Sequence, residues 1–319
     1  MKRHFSTVRS ASRIILGVCL IALGLLASGT PLPAGAPEDD AAKEKKVYHA
    51  TRILISGMIN EVLVTTVQRR SDDAIRGGAN LIIFEIDSDG GLVTSAMALS
   101  RAIDGLSDSG VHTVAYIPRR AYSAAAMAAI SCKDIYMKVG SSLGDAAPIS
   151  MLGKLEGVQR EKLESALRSR FEDLARRNSY PVGLAKSMVT ITVTVAEAKN
   201  SKTGQVRYIE EDELFGLGSD WKKGKIIVGP TELLTMDADK ATKYGFARGL
   251  VEEIEELRKF FDIEGEITVY SLTASEEVVG LLNNMYLKAL LVLVGLIGIY
   301  VEMSTPGFGI PGTAALVAF

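Results

Sequence analysis

Leu81-Ile82-Ile83-Phe84-Glu85-Ile86 runs directly into Asp87-Ser88-Asp89-Gly90-Gly91-Leu92, and the fold turns on how this stretch is read. The first part, apolar apart from Glu85, reads as a strand. The second is a sharp turn in which two glycines expose backbone N–H groups before a helix begins. Outward from it, apolar runs alternate with helical patterns. Strands are expected at Val47 to Ile55, Val111 to Ile117 and Asp134 to Met137, and helices around Asn60 to Arg76, Val93 to Leu106 and Ser123 to Ser131. A βαβ order of this kind predicts an α/β domain with a parallel sheet.

Further along, Leu163, Ala166, Leu167, Phe171, Leu174 and Ala175 recur at helical spacing and predict an amphipathic helix over Glu161 to Asn178. Val193 to Ile209 alternates around Lys199 to Gly204 and reads as a hairpin or flap. Asp237 to Ala247 reads as a short helix closed by a C-terminal glycine, and Gly249 to Val251 as one more strand. Phe260 to Asn284 is expected to form a connecting strand and helix.

The chain has 319 residues, 47% of them hydrophobic, and a formal net charge of −2, which allows a sizeable core plus membrane segments and disfavours nucleic acid as a partner. Two cysteines, Cys19 and Cys132, leave the folded domain without an internal disulfide pair or a Cys-rich metal site. His4, His49 and His112 are too scattered for zinc, and no metal or cofactor is expected.

The N-terminus carries Lys2, Arg3, Arg9 and Arg13, then the uncharged run Ile14 to Ala27, then Ser28 and Gly29. Residues 1–30 therefore read as a signal peptide or N-terminal anchor, and 31–46 as a Pro-, Gly- and charge-rich linker. Met285 to Met303 is apolar apart from Lys288 and Glu302, which stand near its ends, and reads as a transmembrane helix. The breaker Thr305 to Gly312 and a second apolar run follow, so residues 285–319 are expected to be a transmembrane region cut short. The N-terminal basic residues predict a cytoplasmic start and an extracytoplasmic domain. That domain is expected to occupy 47–262, with 263–284 connecting it to the membrane.

Arg120-Ala121-Tyr122-Ser123-Ala124-Ala125-Ala126-Met127 puts one serine at the mouth of a small-residue helix. A serine there is either a helix cap or a nucleophile. Acyl transfer also needs a base and donors for the developing oxyanion, and Gly91 could pair with the amide of Ala124 in that second role. None of the histidines is expected near this strand-end surface, so a lysine is the more plausible base. It would have to be partly buried to be neutral. Lys162 fits best, since its i+4 neighbour Ala166 lies on the apolar stripe. Lys133, Lys138 and Lys154 stand as rivals.

These elements together resemble the NfeD family of membrane-bound Ser-Lys proteases, whose protease domain has the ClpP/crotonase fold. The resemblance rests on Ile86 to Val93, Tyr122 to Ala125, Ile135 to Met137, Gly144 to Pro148, Lys162 to Glu164 and Leu234 through Gly245, in that order. It implies Ser123 as nucleophile, Lys162 as general base, and Gly91 and Ala124 at the oxyanion hole, with Gly90 and Tyr122 against the substrate. It also implies a homodimer or higher homo-oligomer, and hydrophobic tails of stomatin- or flotillin-like membrane proteins as substrates. Asp89 stands where the family often has proline. Ala125 stands where glycine is common, and its methyl is expected to narrow the site. The alternatives are an inactive scaffold for stomatin-like partners and, less favoured because of export, a crotonase-type acyl-CoA enzyme.

Overall fold

A computed structural model of the chain describes residues 46–149, 157–270 and 285–304, with 278, 281, 282, 309, 313 and 317. The expected targeting segment, the linker up to 45, Lys154 and most of the Pro-Gly connector lie outside the described residues.

In chain order the elements begin with β1 (Val47–Tyr48), β2 (Ala50–Ile59), α1 (Glu61–Arg76), β3 (Leu81–Gly91), α2 (Val93–Asp108) and β4 (His112–Ile117). Next come β5 (Arg120–Tyr122), α3 (Ala124–Ser131), β6 (Asp134–Met137), β7 (Ser142–Gly144), α4 (Gly157–Asn178) and α5 (Val182–Ser187). Strands β8 (Val195–Asn200), β9 (Val206–Glu210), β10 (Trp221–Val228) and β11 (Thr235–Asp237) follow. The chain continues through α6 (Ala238–Lys243), β12 (Ala247–Leu250), β13 (Asp262–Ile263), β14 (Thr268–Tyr270) and α7 (Met285–Ser304).

The principal ladder runs β14-β2-β3-β4-β6-β12, with every pair parallel. Helices on one face and a second apolar cluster on the other bury β3 from both sides, which is why its sequence is a nearly unbroken apolar run. Ile82, Phe84 and Ile86 belong to the core that includes Leu99 and Ile103 of α2 and most of α3. Leu81 and Ile83 join Val114, Tyr116, Tyr136, Leu257 and Phe261 on the opposite side. Each such side chain, fully withdrawn from water, contributes about 1.5–3 kcal/mol.

Strand β3 is longer than its apolar run and carries a branch. Its end, at Ser88, pairs with Ala121 of β5; β5 pairs parallel with β7, and β7 antiparallel with β11. The branch strands β5, β7 and β11 are three residues each, too short for periodicity to reveal. The turn expected at Asp87 to Gly91 is instead the continuation of β3, paired with β2 as far as Gly91 beyond a register shift, and the branch brings this glycine-bearing strand end beside the start of α3. The expected hairpin over 193–209 forms as β8 and β9, but β10 adds a third strand on the other side of β8. Strand β14, beyond residue 262, pairs with β2 at the edge of the principal ladder.

Helix α4 starts earlier than expected and its buried stripe starts later. Glu164, Leu167, Phe171, Leu174, Ala175 and Asn178 are buried, whereas Leu163 and Ala166 are exposed. The burial of Lys162 inferred from Ala166 is therefore corrected: Lys162 is exposed, because the first turns of α4 stand off the core. Among the described residues one helix, Tyr286–Ser304, is long and apolar enough to cross a membrane, with a mean hydropathy of 1.9.

Candidate active site

Ser123 joins β5 to α3 with φ 53° and ψ −120°, a conformation that favours glycine and costs a side chain roughly 1–3 kcal/mol. Its backbone is held there from both sides. The amide donates to the carbonyls of Gly144 (3.2 Å) and Asp145 (2.9 Å), while its own carbonyl accepts from Met127 N–H (3.2 Å). The hydroxyl makes no capping hydrogen bond, so the reading of Ser123 as a simple helix cap does not hold. Behind it α3 is buried throughout, from Ala124 to Ser131. The first-turn amides of such a helix have no intrahelical partner and carry partial positive charge.

The glycine-bearing end of β3 faces this serine at close range. Gly90 has φ 111°, and a Cβ there would lie 2.6 Å from Ser123 Cβ and 3.0 Å from its Oγ. Gly91 packs on β2 so tightly that a Cβ would come within 2.0 Å of the Ile59 carbonyl oxygen. Ser88 holds this strand end against β2: its hydroxyl donates to the Gly57 carbonyl at 2.5 Å and accepts from Gly90 N–H at 3.0 Å. Tyr122 is half-buried, and its hydroxyl meets Ser142 Oγ at 2.5 Å.

A cleft of about 830 Å³ opens over Ser123, lined also by Gly90, Gly91, Tyr122 and Asp145. Its apolar lining comes from Met58, Leu92, Val93, Ala147 and Ile149. Its charged side is ordered by ion pairs. Arg119 hydrogen-bonds to Asp87 through Nε at 2.7 Å, and Arg120 Nε lies 2.6 Å from Asp89. The hydrogen bond to Asp87, with that carboxylate's charge, holds the Arg119 pKa above its ordinary value. Asp89, where the resemblance leads one to expect proline, is thus the partner of Arg120. Ala125 is fully buried and does not line the cleft, so the expected narrowing by its methyl does not occur.

The sequence-selected residues do not all converge. Ser123, Gly90, Gly91 and Tyr122 share the cleft, and Ala124 is the buried first residue of α3. Lys162 lines a different groove, of about 730 Å³, along the exposed face of α4 with Val158, Ser165 and Ala166. Lys133 donates to the Arg177 carbonyl at 3.4 Å, and Lys138 lies 3.6 Å from both Glu252 and Glu253, so neither rival serves this cleft. His49 and His112 do not line it either, and His112 is paired with Asp134 at 2.7 Å. Sequence reasoning gave no role to Arg119, Arg120 or Asp145, because their convergence depends on the branch ladder.

Residues 47–214 match the NfeD1b N-terminal domain, and residues 286–319 match the NfeD integral membrane domain. The chain belongs to the NfeD family. The NfeD chain is 27% identical over 280 residues to the membrane protein NfeD1b of Bacillus subtilis (strain 168). That alignment covers 88% of this chain and 56% of the relative, so the chain spans about half the length of the curated relative it matches. Its fold is similar to that of the 1510-N membrane-bound stomatin-specific protease, solved with a lysine replaced by alanine and in complex with a substrate peptide. There the TM-score is 0.53 at 18% identity, over 75% of this chain and 98% of the protease. A form of the same protease with a serine replaced by alanine gives a TM-score of 0.50 at 19% identity, over 72% and 99% of the two chains. The NfeD chain thus has the expected α/β, parallel-sheet, protease-like fold, and its matched integral membrane domain makes it a membrane protein.

Proposed function

We propose that the chain is a membrane-tethered serine endopeptidase in which Ser123 is the nucleophile and Lys162 the general base. One observation carries this reading above the rest: Ser123 is held at positive φ with its hydroxyl free of capping bonds, at the mouth of a buried helix and inside a cleft. Strain of this kind persists where surrounding structure over-determines it, and it clusters at active sites. The hydroxyl attacks the scissile carbonyl and passes its proton to a neutral lysine amine. The main-chain N–H groups of Gly91 and Ala124 receive the oxyanion. The lysine then protonates the leaving amine, and a water, deprotonated by the same lysine, hydrolyses the acyl-enzyme. Gly90 and Tyr122 flank the substrate chain.

Lys162 reaches this position by movement of α4, whose first turns, Gly157 to Leu163, carry little buried surface. Closure on substrate would desolvate the amine, the condition under which a lysine acts as a base. The apolar lining suits hydrophobic polypeptide, and stomatin- or flotillin-like membrane proteins are the proposed substrates and partners. The domain acts on the extracytoplasmic side as a homodimer or higher homo-oligomer. The exposure of Lys162 outside the serine cleft favours one second reading, a scaffold without turnover.

The full chain in detergent decides between them. A fluorophosphonate probe labels Ser123 and an apolar peptide is cut; Ser123→Ala abolishes both, and Lys162→Ala lowers kcat/KM at least about a hundredfold, the lower range for a general base. Cleavage that survives Ser123→Ala overturns the nucleophile. Absence of labelling and cleavage in the unaltered chain leaves the scaffold.

A further inference from the structure

We infer that Asp145 makes the serine cleft selective for a polypeptide that carries a cationic side chain next to the scissile bond within an otherwise apolar segment. The inference rests on the protease reading of this cleft and adds the charge character of its substrate. Three carboxylates and two guanidinium groups line the cleft, those of Asp87, Asp89 and Asp145 and of Arg119 and Arg120. The two arginines are taken up by Asp87 and Asp89. Among the described residues Asp145 makes no ion pair and no side-chain hydrogen bond, so the uncompensated negative charge of the lining sits on it.

The position of that charge relative to the nucleophile is fixed by the main chain. Asp145 N–H donates to the Leu234 carbonyl at 3.0 Å, and the Asp145 carbonyl accepts from Ser123 N–H at 2.9 Å. The residue between these two bonds has φ 46° and is exposed to the cleft. A carboxylate anchored one hydrogen bond from the nucleophile's own amide offers an incoming lysine or arginine side chain a charge partner. To an acidic side chain it offers repulsion. The remaining lining, Met58, Leu92, Val93, Ala147 and Ile149, takes apolar neighbours. A charge at such a semi-open site gives about two- to fivefold discrimination.

Aspartate also tolerates positive φ better than most side chains, and Asp145 could be present for that reason alone. Asp145→Asn separates the two roles, since asparagine tolerates the same backbone and lacks the charge. The measurement is fluorescence anisotropy on the full chain carrying Ser123→Ala in detergent. The probes are labelled apolar peptides with norleucine, lysine or glutamate placed at each position in turn. At one position the lysine peptide binds about two- to fivefold tighter than its norleucine counterpart, and the glutamate peptide binds more weakly. Adding Asp145→Asn removes that difference and leaves norleucine affinity within about twofold. A preference that survives Asp145→Asn, an equal loss for all peptides, or no binding of any peptide overturns the inference. Turnover is read separately on the chain with Ser123 intact. Charge-selective binding without cleavage sinks the protease reading alone, and cleavage without charge preference sinks only the role of Asp145.

Discussion

Ser123 is the residue at which local preference and tertiary demand conflict most openly. A serine before a run of alanines is ordinary, and nothing local asks it to adopt φ 53°. The carbonyls of Gly144 and Asp145 impose that value, and they reach Ser123 only because β5 lies against β7. Glycine would adopt the conformation without strain, whereas alanine would retain the Cβ penalty. Ser123→Gly is therefore expected to be more stable than Ser123→Ala by about 1 kcal/mol, read from denaturant midpoints of the two inactive variants. Equal midpoints would mean that the backbone is unstrained there. Asp87 to Gly91 reads locally as a sharp turn, whereas the structure continues β3 through Gly91, paired with β2 beyond a register shift. The reason Gly90 and Gly91 must be glycine is not legible locally either, since the atoms a Cβ would strike belong to Ser123 and Ile59, far away in sequence.

Helix α4 shows what periodicity captures at the scale of an element and what it misses. Leu167, Phe171, Leu174 and Ala175 were correctly read as its inward stripe. Arg170 and Glu164 were not, because a charged residue turned inward is explained only by its partners. Arg170 donates to Ser100 Oγ at 2.9 Å, to Asp104 at 3.0 Å and to Asp173 at 2.9 Å, which ties α4 to α2. Asp104 is nearly buried and keeps Arg177 at 3.1 Å as a second partner. Removing one side of such a network leaves buried polar groups short of partners. Arg170→Met is expected to lower stability by about 2–3 kcal/mol, and combining it with Asp104→Leu is expected to cost less than the sum of the two single changes. Additive effects in the denaturant double-mutant cycle would show that the two side chains do not act as a pair. At the start of α4, the buried Glu164 is held by Arg160 at 3.2 Å and lies 3.8 Å from Arg168, so its inward side chain is matched by ion pairs.

Across the whole molecule, the face of the principal ladder opposite the helices is closed by aromatic residues, and these set an alkaline limit. Burial, with nearby carboxylates adding to it, pushes Tyr116 and Tyr136 from 10.0 up to about 12. The Tyr116 hydroxyl also donates to the Glu252 carbonyl at 2.9 Å. The folded state thus holds these protons more tightly than the unfolded chain, so their contribution is complete below pH 10 and is lost as pH rises through about 12. Denaturation followed from pH 8 upward is expected to show stability falling above about pH 10, with a shallower fall in Tyr116→Phe. An unchanged slope would place the alkaline loss elsewhere. The parallel sense of β2, β3, β4 and β6, the helices between them and the apolar span at Met285–Ser304 follow from the sequence alone, because the alternation of apolar runs and helical patterns is local. Tertiary structure alone decided the branch through β5, β7 and β11, the strained geometry of Ser123, the exposure of Lys162 and the lack of a partner, among the described residues, for the Asp145 carboxylate. Each of these depends on contacts, made or missing, between residues distant in the chain, whose distances no local pattern encodes.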